Sequence, residues 1–419
     1  VRHTLFAGSS IWVTSAIIVK IMKREHLIVA VIGNPSAAKG AGAKNSAKVL
    51  ELLQQAGEGH GFTAIDLTGT SYEDSLNNAR TWRDEYDYLV VVGGDGMISL
   101  GVNAVGGTDK PLGIVAMGSG NDFARGLKLP VNRLETAVEG IVGAIVCGCQ
   151  VEVDLGHVTS VPGSDSTAVD TSTRDALQKP RPIDRYFAGM LSCGIDACVN
   201  DYATHSHLPG GSVRYFAGVL HEITHFKKYG YHVKVELSDG VVEEYDILSS
   251  MLTIANSRHI GGGIEISPYS RFADGMLDMV WMRYIPKLPE LAKAVSRLYK
   301  GKLLSTPCFG WQRIRRVELS YSGEGAEPPI LSADGEYVGT LPVEVSASPE
   351  NLRLLVPPAV QKSFDQESQD AQVVAIIERD GRNPVTGNFV SEELEEAKRL
   401  DESGQFGASD ESDASHKIE

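Results

Sequence analysis

The chain has 419 residues, 42% apolar and 22% charged, with a formal net charge of −15. That balance suits a soluble globular protein with two separate cores and excludes a structural filament or a wholly disordered chain. The five cysteines (Cys147, Cys149, Cys193, Cys198 and Cys308) form neither CxxC pairs nor zinc-ligand spacing, as expected of thiols in a reducing, cytoplasmic compartment.

Residues 1–23 read as an N-terminal extension. Its run "IWVTSAIIVKIM" is apolar but too short to span a bilayer and carries Lys20, so the extension is expected to be disordered and outside the fold. From 24 to 140, strand and helix patterns alternate. "HLIVAVIGNPS" is a strand into a turn, and "NSAKVLELLQQAGE" has helical spacing at Val49, Leu52 and Leu53. "FTAIDLT" is a strand, "YEDSLNNARTWRD" a helix, "YDYLVVVGG" a buried strand and "DGMISLGVNAV" a helix. "PLGIVAM" is a strand, and the turn "GSGND" leads into "FARGL". This order predicts a three-layer α/β domain with a parallel sheet and crossover helices.

From 141 to 358 strands joined by turns dominate, among them "RYFAGMLSCGIDA", "GYHVKVELSDG", "GMLDMVWMRY", "RRVELSYS" and "LPVEVSAS". They predict a second, mainly antiparallel β domain, whose last element returns to the first. Within it, residues 160–182 are rich in Ser, Thr, Asp and Pro and are expected to form a mobile insertion. Residues 359–419 are expected to be an acidic, disordered tail: from Gln361 onward fifteen Asp or Glu face six Lys or Arg. The body is thus much nearer neutrality than the whole chain, which argues against a nucleic-acid partner.

Three strand ends carry phosphate-loop chemistry: "GNPSAAKGAG", "GGDG" and "GSGND". Glycines there let the backbone approach a ligand, and the following helix N-termini present free N–H groups. Any one of them alone suits tight packing equally well; three on one sheet edge point to a bound phosphate. Neither GxxxxGK[ST] nor GxGxxG is present. Asp95, inside the glycine turn, would repel a phosphate, so it is expected to act through Mg²⁺ or to orient backbone amides.

"NPSAAKG", "VVVGGDGM", "GSGNDFARGL", "RFADGMLD" and "ADGE", in that order, resemble the diacylglycerol kinase catalytic-domain family of soluble lipid kinases, which includes sphingosine and ceramide kinases. The resemblance covers roughly residues 25 to 358. It implies an ATP site at Asn34, Pro35, Ser36, Thr68, Gly93, Gly94, Asp95, Gly96, Met97, Ser119, Asn121 and Asp122, the last two joining Asp95 around the phosphates and a catalytic Mg²⁺. It implies Asp334 as general base with Glu336 close by, and a second, structural Mg²⁺ at the backbone of Arg271, the carboxylate of Asp274 and the carbonyl of Met276. The residues agree in kind, since phosphoryl transfer needs a cation on the phosphates and a carboxylate near the attacking hydroxyl. "ADGEYVG" also reads as an ordinary Asp-Gly hairpin, and a lone Asp274 gives a hard cation one charged ligand, so the structural metal rests on the resemblance. Met97 stands where the family commonly has Thr, and Ala37 and Ala38 where it often has Ser and Gly.

The implied reaction is transfer of the γ-phosphate of ATP to a lipid hydroxyl, with diacylglycerol as the leading acceptor. Sphingoid bases, a catalytically impaired lipid-binding protein and an NAD kinase-like enzyme are the alternatives. From Arg283 to Arg316 nine Lys or Arg accompany one acid, Glu290, with Tyr299, Phe309 and Trp311 interleaved. This composition suits either a peripheral membrane contact or a solvated face packed on the β domain. "HEITH" (His221 to His225) matches HExxH literally and keeps a minor metalloprotease alternative open. A homodimer is left open by the sequence.

Overall fold

The computed structural model describes residues 26–34, 40–164, 168, 181–206, 208, 211–223, 226–298, 300–367 and 370–402. The N-terminal extension lies outside the described residues, as do Pro35, Ser36, Ala37 and Ala38, and residues 165–167 and 169–180 of the expected insertion.

The first half runs β1 (Leu27–Gly33), α1 (Ala41–His60), β2 (Phe62–Asp66), α2 (Tyr72–Thr81), β3 (Tyr88–Gly93), α3 (Asp95–Val105), β4 (Leu112–Ala116), α4 (Asp122–Gly126) and α5 (Leu134–Cys147). Its strands are parallel, in the order β4-β3-β1-β2. The sequence shows near-continuous apolar runs there because both sheet faces are covered. Val29, Val31, Val90 and Val92 pack against α1 and α5, and Ala30, Ile32, Leu89 and Val91 against α2 and α3. Gly101 lets α3 lie close to the sheet: a Cβ there would sit 2.8 Å from Leu112 Cδ1 and 2.9 Å from Val91 Cγ1.

The second half begins with β5 (Gln150–Ser160), β6 (Asp184–Phe187), β7 (Met190–Ser192), α6 (Ile195–His205) and α7 (Gly211–Ile223). Then follow β8 (Tyr229–Leu237), β9 (Val242–Ser249), β10 (Leu252–Ala255), β11 (His259–Ile260), β12 (Ile264–Glu265) and β13 (Leu277–Met282). It continues through α8 (Leu288–Arg297), β14 (Phe309–Ser320), β15 (Leu331–Ala333), β16 (Glu336–Gly339) and β17 (Val343–Leu355). Its pairings are antiparallel, and alternate residues such as Val233, Val235, Leu252, Ile254, Leu277 and Met279 fill one apolar core. β17 joins the halves. It pairs antiparallel with β14 and β5, and its Leu354 reaches Leu112 of β4 in parallel register.

Two expectations change, and a choice left open is narrowed. "RYFAGMLSCGIDA" is two short strands and the start of a helix, because the chain turns at Gly194 and Ile195 opens α6. The acidic tail is largely helical up to Glu402, in α9 (Pro358–Glu367), α10 (Asp370–Arg379) and α11 (Val390–Glu402), and residues 403–419 lie outside the described residues. Its acidity masked an apolar i, i+4 pair, Val373 and Ile377, that is buried against the second half. Of the aromatic residues of 283–316, Phe309 and Trp311 turn inward, at 5% and 2% exposed, Tyr284 is 42% exposed, and Tyr299 lies outside the described residues. Arg297 donates to Ser305 and Thr306, Arg313 pairs with Asp278, and Arg316 pairs with Glu344. These side chains are engaged within the fold, as a face packed on the β domain requires. Among the described residues no helix is long and apolar enough to cross a membrane.

Candidate active site

The sheet edge at the C-terminal ends of β1, β3 and β4 faces a cavity of about 730 Å³, closed on its other side by the second half. Asn34, Gly93, Gly94, Asp95, Gly96, Met97, Ser119 and Asp122 line it from one side, and Asp334 and Glu336 from the other. Thr68 stands behind the first loop, where its Oγ1 accepts the Gly33 N–H at 2.9 Å.

Two glycine loops touch. A Cβ on Gly118 would lie 2.4 Å from Gly94 Cα, so the loops after β3 and β4 approach closely because neither bears a side chain at that point. Asp95, in the first turn of α3, ties them together. Its Oδ2 accepts the Asn121 N–H at 2.7 Å and its Oδ1 the Asp122 N–H at 2.8 Å. Asn121 adopts φ 55°, and its side chain returns to Gly118, accepting from the N–H at 2.9 Å and donating to the carbonyl at 2.7 Å. The side chain of Met97 packs beneath Gly93, where a Cβ would lie 2.5 Å from its Cγ.

Asp122 is held from the second half: the N–H groups of Gly262 and Gly263, in the β11–β12 hairpin, reach its carboxylate at 2.8 and 2.7 Å. Asp334 and Gly335 are the central residues of the β15–β16 hairpin, with φ of 50° and 87°, as a type I′ turn requires. The hairpin reading and the site reading of "ADGE" therefore hold together. Its tight turn presents the Asp334 carboxylate to three backbone donors, Ala188 at 2.8 Å, Gly189 at 2.8 Å and Met190 at 3.0 Å. Glu336 reaches the start of α3, with Oε1 2.9 Å from where a Cβ on Gly96 would be.

Burial pushes all four carboxyls upward. Asp95 is raised to about 6, by desolvation first and then by the charges of Asp122 and Asp334, against the two N–H groups that favour its ionised form. Asp122, Asp334 and Glu336 are raised by desolvation, with the Arg185 charge opposing it at the last two. The cavity thus gathers carboxylates that repel one another, an arrangement a cation relieves.

Arg271, Asp274 and Met276 lie elsewhere, in the turn before β13. Asp274 Oδ2 accepts from Arg271 at 3.1 Å and lies 3.8 Å from Arg313, and its Oδ1 accepts the Met276 N–H at 3.1 Å. Two guanidinium groups already occupy the charge that a cation would seek, so this donor set does not fit a second Mg²⁺. Of "HEITH", only the first three residues are described. His221 stacks on Tyr202 at 4.8 Å and pairs with Glu222, while His225 lies outside the described residues. No group of three or more metal-ligating side chains occurs among the described residues.

Sequence reasoning missed Gly262 and Gly263, Arg185, and Asn256, whose buried Nδ2 donates to the Asp154 and Ala188 carbonyls at 2.9 Å each. The run "GGG" at 261–263 was the available signal, since all three residues adopt positive φ (64°, 89° and 104°). Nothing in the composition around Arg185 marks it.

Residues 28–158 match the diacylglycerol kinase catalytic domain family, and residues 189–356 match the YegS C-terminal NAD kinase beta sandwich-like domain. The chain is 26% identical over 337 residues to a diacylglycerol kinase of Mycobacterium tuberculosis (strain ATCC 25618 / H37Rv), covering 80% of this chain and 97% of that protein. It is 24% identical over 351 residues to a diacylglycerol kinase of Bacillus subtilis (strain 168), covering 82% of this chain and all (100%) of that one. Two solved chains from Bacillus anthracis str. Sterne share the fold, with TM-scores of 0.57 and 0.52 at 18% and 15% identity. Each match covers 81% of this chain and 99% of the solved one, and the second is described as a diacylglycerol kinase.

Proposed function

Since the chain belongs to the diacylglycerol kinase catalytic-domain family and carries the YegS-like C-terminal domain, we propose that it transfers the γ-phosphoryl group of ATP to the hydroxyl of diacylglycerol. The observation that carries this reading is the position of Asp334. A carboxylate fixed by three backbone N–H groups shares one cavity with the paired glycine loops of the parallel sheet.

In this reading the phosphates lie along Gly93–Gly96 and Gly118–Ser119, where the absence of side chains lets backbone N–H groups come close. Asp95 keeps the two loops in register. Asp334 accepts the proton of the acceptor hydroxyl as its oxygen bonds to the γ-phosphorus, while the bond from that phosphorus to the β,γ-bridging oxygen breaks and ADP leaves. The repelling carboxylates suit Mg²⁺ carried on the phosphates, with Asp95 and Asp122 as the side chains that would face it. When bound, the ion neutralises charge on the phosphate oxygens.

The test is transfer of labelled phosphate from ATP into detergent-dispersed lipids by the wild type and by Asp334→Asn. Diacylglycerol should be labelled, and the variant should lose about 10²-fold or more, the scale of a general base. Labelling of a sphingoid base in place of diacylglycerol would change the acceptor and keep the mechanism. Full activity in the variant would overturn the role of Asp334.

A further inference from the structure

The cavity wall beside Asp334 is built by two helices of the second half: α6 supplies Asn200 and Ala203, and α7 supplies Arg214. Asn200 fixes α6 to the β15–β16 hairpin. Its Nδ2 donates to Ser332 Oγ at 3.0 Å and to the carbonyl of Gly335, the residue after Asp334, at 2.8 Å. Arg214, Gly218 and His221 follow at i, i+4 and i+7, on one face of α7. That face packs on α6: a Cβ on Gly218 would lie 3.0 Å from the Val199 carbonyl oxygen, and the His221 ring stacks on Tyr202 at 4.8 Å. One turn before Gly218, the same face brings Arg214 to the cavity.

Arg214 arrives there with donors to spare. Its buried Nε has no hydrogen-bond partner, and among the described residues no ion pair joins its guanidinium to Asp95, Asp122, Asp334 or Glu336, the acids of the cavity wall. His259, the other basic side chain of the lining, belongs to the β11–β12 hairpin and meets Glu265 at 3.2 Å. A guanidinium is a fork of donors with no acceptor, so the ligand group it meets is an acceptor and not a cation. The neighbouring face of α7 points to the rest of that ligand. Val213 and Phe216, at i and i+3, are exposed, as is Leu208 just before the helix, so an uncovered apolar surface lies beside the Arg214 wall.

We propose that Arg214 is a specificity-determining residue: it donates to the ester carbonyls of a diacylglycerol whose free hydroxyl lies at Asp334, and its charge rejects acceptors that carry an ammonium group there. The inference rests on the kinase reading above for the position of the hydroxyl. The ester carbonyls lie only a few bonds from that hydroxyl, so binding it at Asp334 sets them against the adjoining α6–α7 wall. The acyl chains leave over Leu208, Val213 and Phe216. A sphingoid base has its ammonium on the carbon next to the hydroxymethyl group, where it meets the guanidinium as a like charge.

The test is steady-state transfer of labelled phosphate from ATP to dioctanoylglycerol, to the matching dioctyl diether, which keeps the hydroxyl and the chains but lacks both carbonyls, and to sphingosine. The wild type is compared with Arg214→Met, which removes the donors and keeps the stem, and with Arg214→Lys and Arg214→Glu. In the wild type the KM for the diester should lie about tenfold or more below that for the diether, the scale of a buried donor left unmet. Arg214→Met should raise the diester KM to the diether value, while the KM values for the diether and for ATP hold. Arg214→Lys should regain part of the diester preference, and Arg214→Glu should shift the preference toward sphingosine. Equal KM for diester and diether in the wild type, or a wild type that prefers sphingosine, overturns the proposal. So does a diester preference that survives in Arg214→Met, whatever happens to kcat or to the KM for ATP. If the wild type labels no lipid, the kinase reading fails and equilibrium dialysis of the tritiated diester and diether without ATP decides: tighter diester binding that Arg214→Met abolishes upholds the contact, and equal affinity overturns it. Should Arg214→Met not fold, Arg214→Leu carries the same measurements.

Discussion

Gly262 donates its backbone N–H to the carboxylate of Asp122 at 2.8 Å, across 140 residues of sequence and between the two halves of the chain. The bond makes the cavity wall of the second half depend on a side chain of the first. Gly262 has φ 89°, in the left-handed region that an L side chain enters at a cost of about 1–2 kcal/mol. Gly262→Ala should therefore lower the thermal midpoint and weaken nucleotide binding together. Asp122→Ala should do more, since it leaves two backbone donors without their acceptor at about 1–3 kcal/mol each if they stay dry. Calorimetric titration with an ATP analogue and thermal melting check both, and a variant that melts earlier while binding nucleotide normally would refute the linkage.

The contact between Gly94 and Gly118 makes a steric prediction. A Cβ on Gly118 would meet Gly94 Cα at 2.4 Å and Asn121 Oδ1 at 2.9 Å, and the first of these is backbone. Gly118→Ala must therefore part the two loops, at a cost of about 1–3 kcal/mol, as for other insertions into tight packing. Parting them also stretches the two bonds that Asp95 makes to Asn121 and Asp122. The expected outcome is a folded protein whose transfer rate falls well below that of Gly143→Ala, a control position with nothing within 4 Å of an added Cβ. Equal rates in the two variants would show that the loop contact is dispensable.

Asp95, Asp122 and Asp334 were legible in the sequence because each lies in or beside a glycine turn at a strand end, a local pattern with a local cause. The parallel half was legible for a similar reason: β1, β3 and β4 are buried on both faces and read as apolar runs. Arg185 and Gly262 were not, because their contribution arises only when segments far apart in sequence close on one cavity. The tail misled for a related reason. Composition reported its acidic outer faces, whereas its place in the fold is set by a few side chains, Val373, Ile377 and Arg382, whose partners lie elsewhere in the chain. Trp311 and Phe309 show a choice the sequence left open: basic neighbours allowed a surface or a packed face, and the alternation of β14 put both inside.

Arg382 makes the attachment of the C-terminal helices testable. It is 2% exposed, with its guanidinium donating to the carbonyls of Leu304 at 2.8 Å, Gly387 at 2.6 Å and Phe309 at 2.7 Å, and lying 4.1 Å from the centre of the Phe389 ring. Arg382→Met keeps much of the volume and leaves three carbonyls without their donor. The expected loss is at least about 1–3 kcal/mol, the cost of leaving one such buried carbonyl unsatisfied. Cleavage by trypsin within 370–402 should rise before the rest of the chain is cut. Protection equal to wild type would show that the helices are held by their apolar contacts alone.

Asp196 carries the last prediction. At the start of α6 it is 4% exposed, accepts from Thr253 Oγ1 at 2.8 Å and from the Gly194 N–H at 3.0 Å, and is raised to about 6 by desolvation. The sign follows from linkage: a carboxyl that binds its proton more tightly when folded stabilises the fold fully below its unfolded value, near 3.8. That contribution is lost as pH rises through about 6. The whole span is worth at most about 3 kcal/mol. Asp196→Asn is isosteric and removes the ionisation; its Oδ1 can keep the Gly194 N–H while its amide donates to Thr253 Oγ1, whose hydroxyl rotates to accept. The variant should therefore match the wild type in urea unfolding at pH 4 and exceed it at pH 8, with the difference opening between those limits. A variant less stable than wild type at pH 8 would mean that the charge at Asp196 is held by its hydrogen bonds more strongly than burial opposes it.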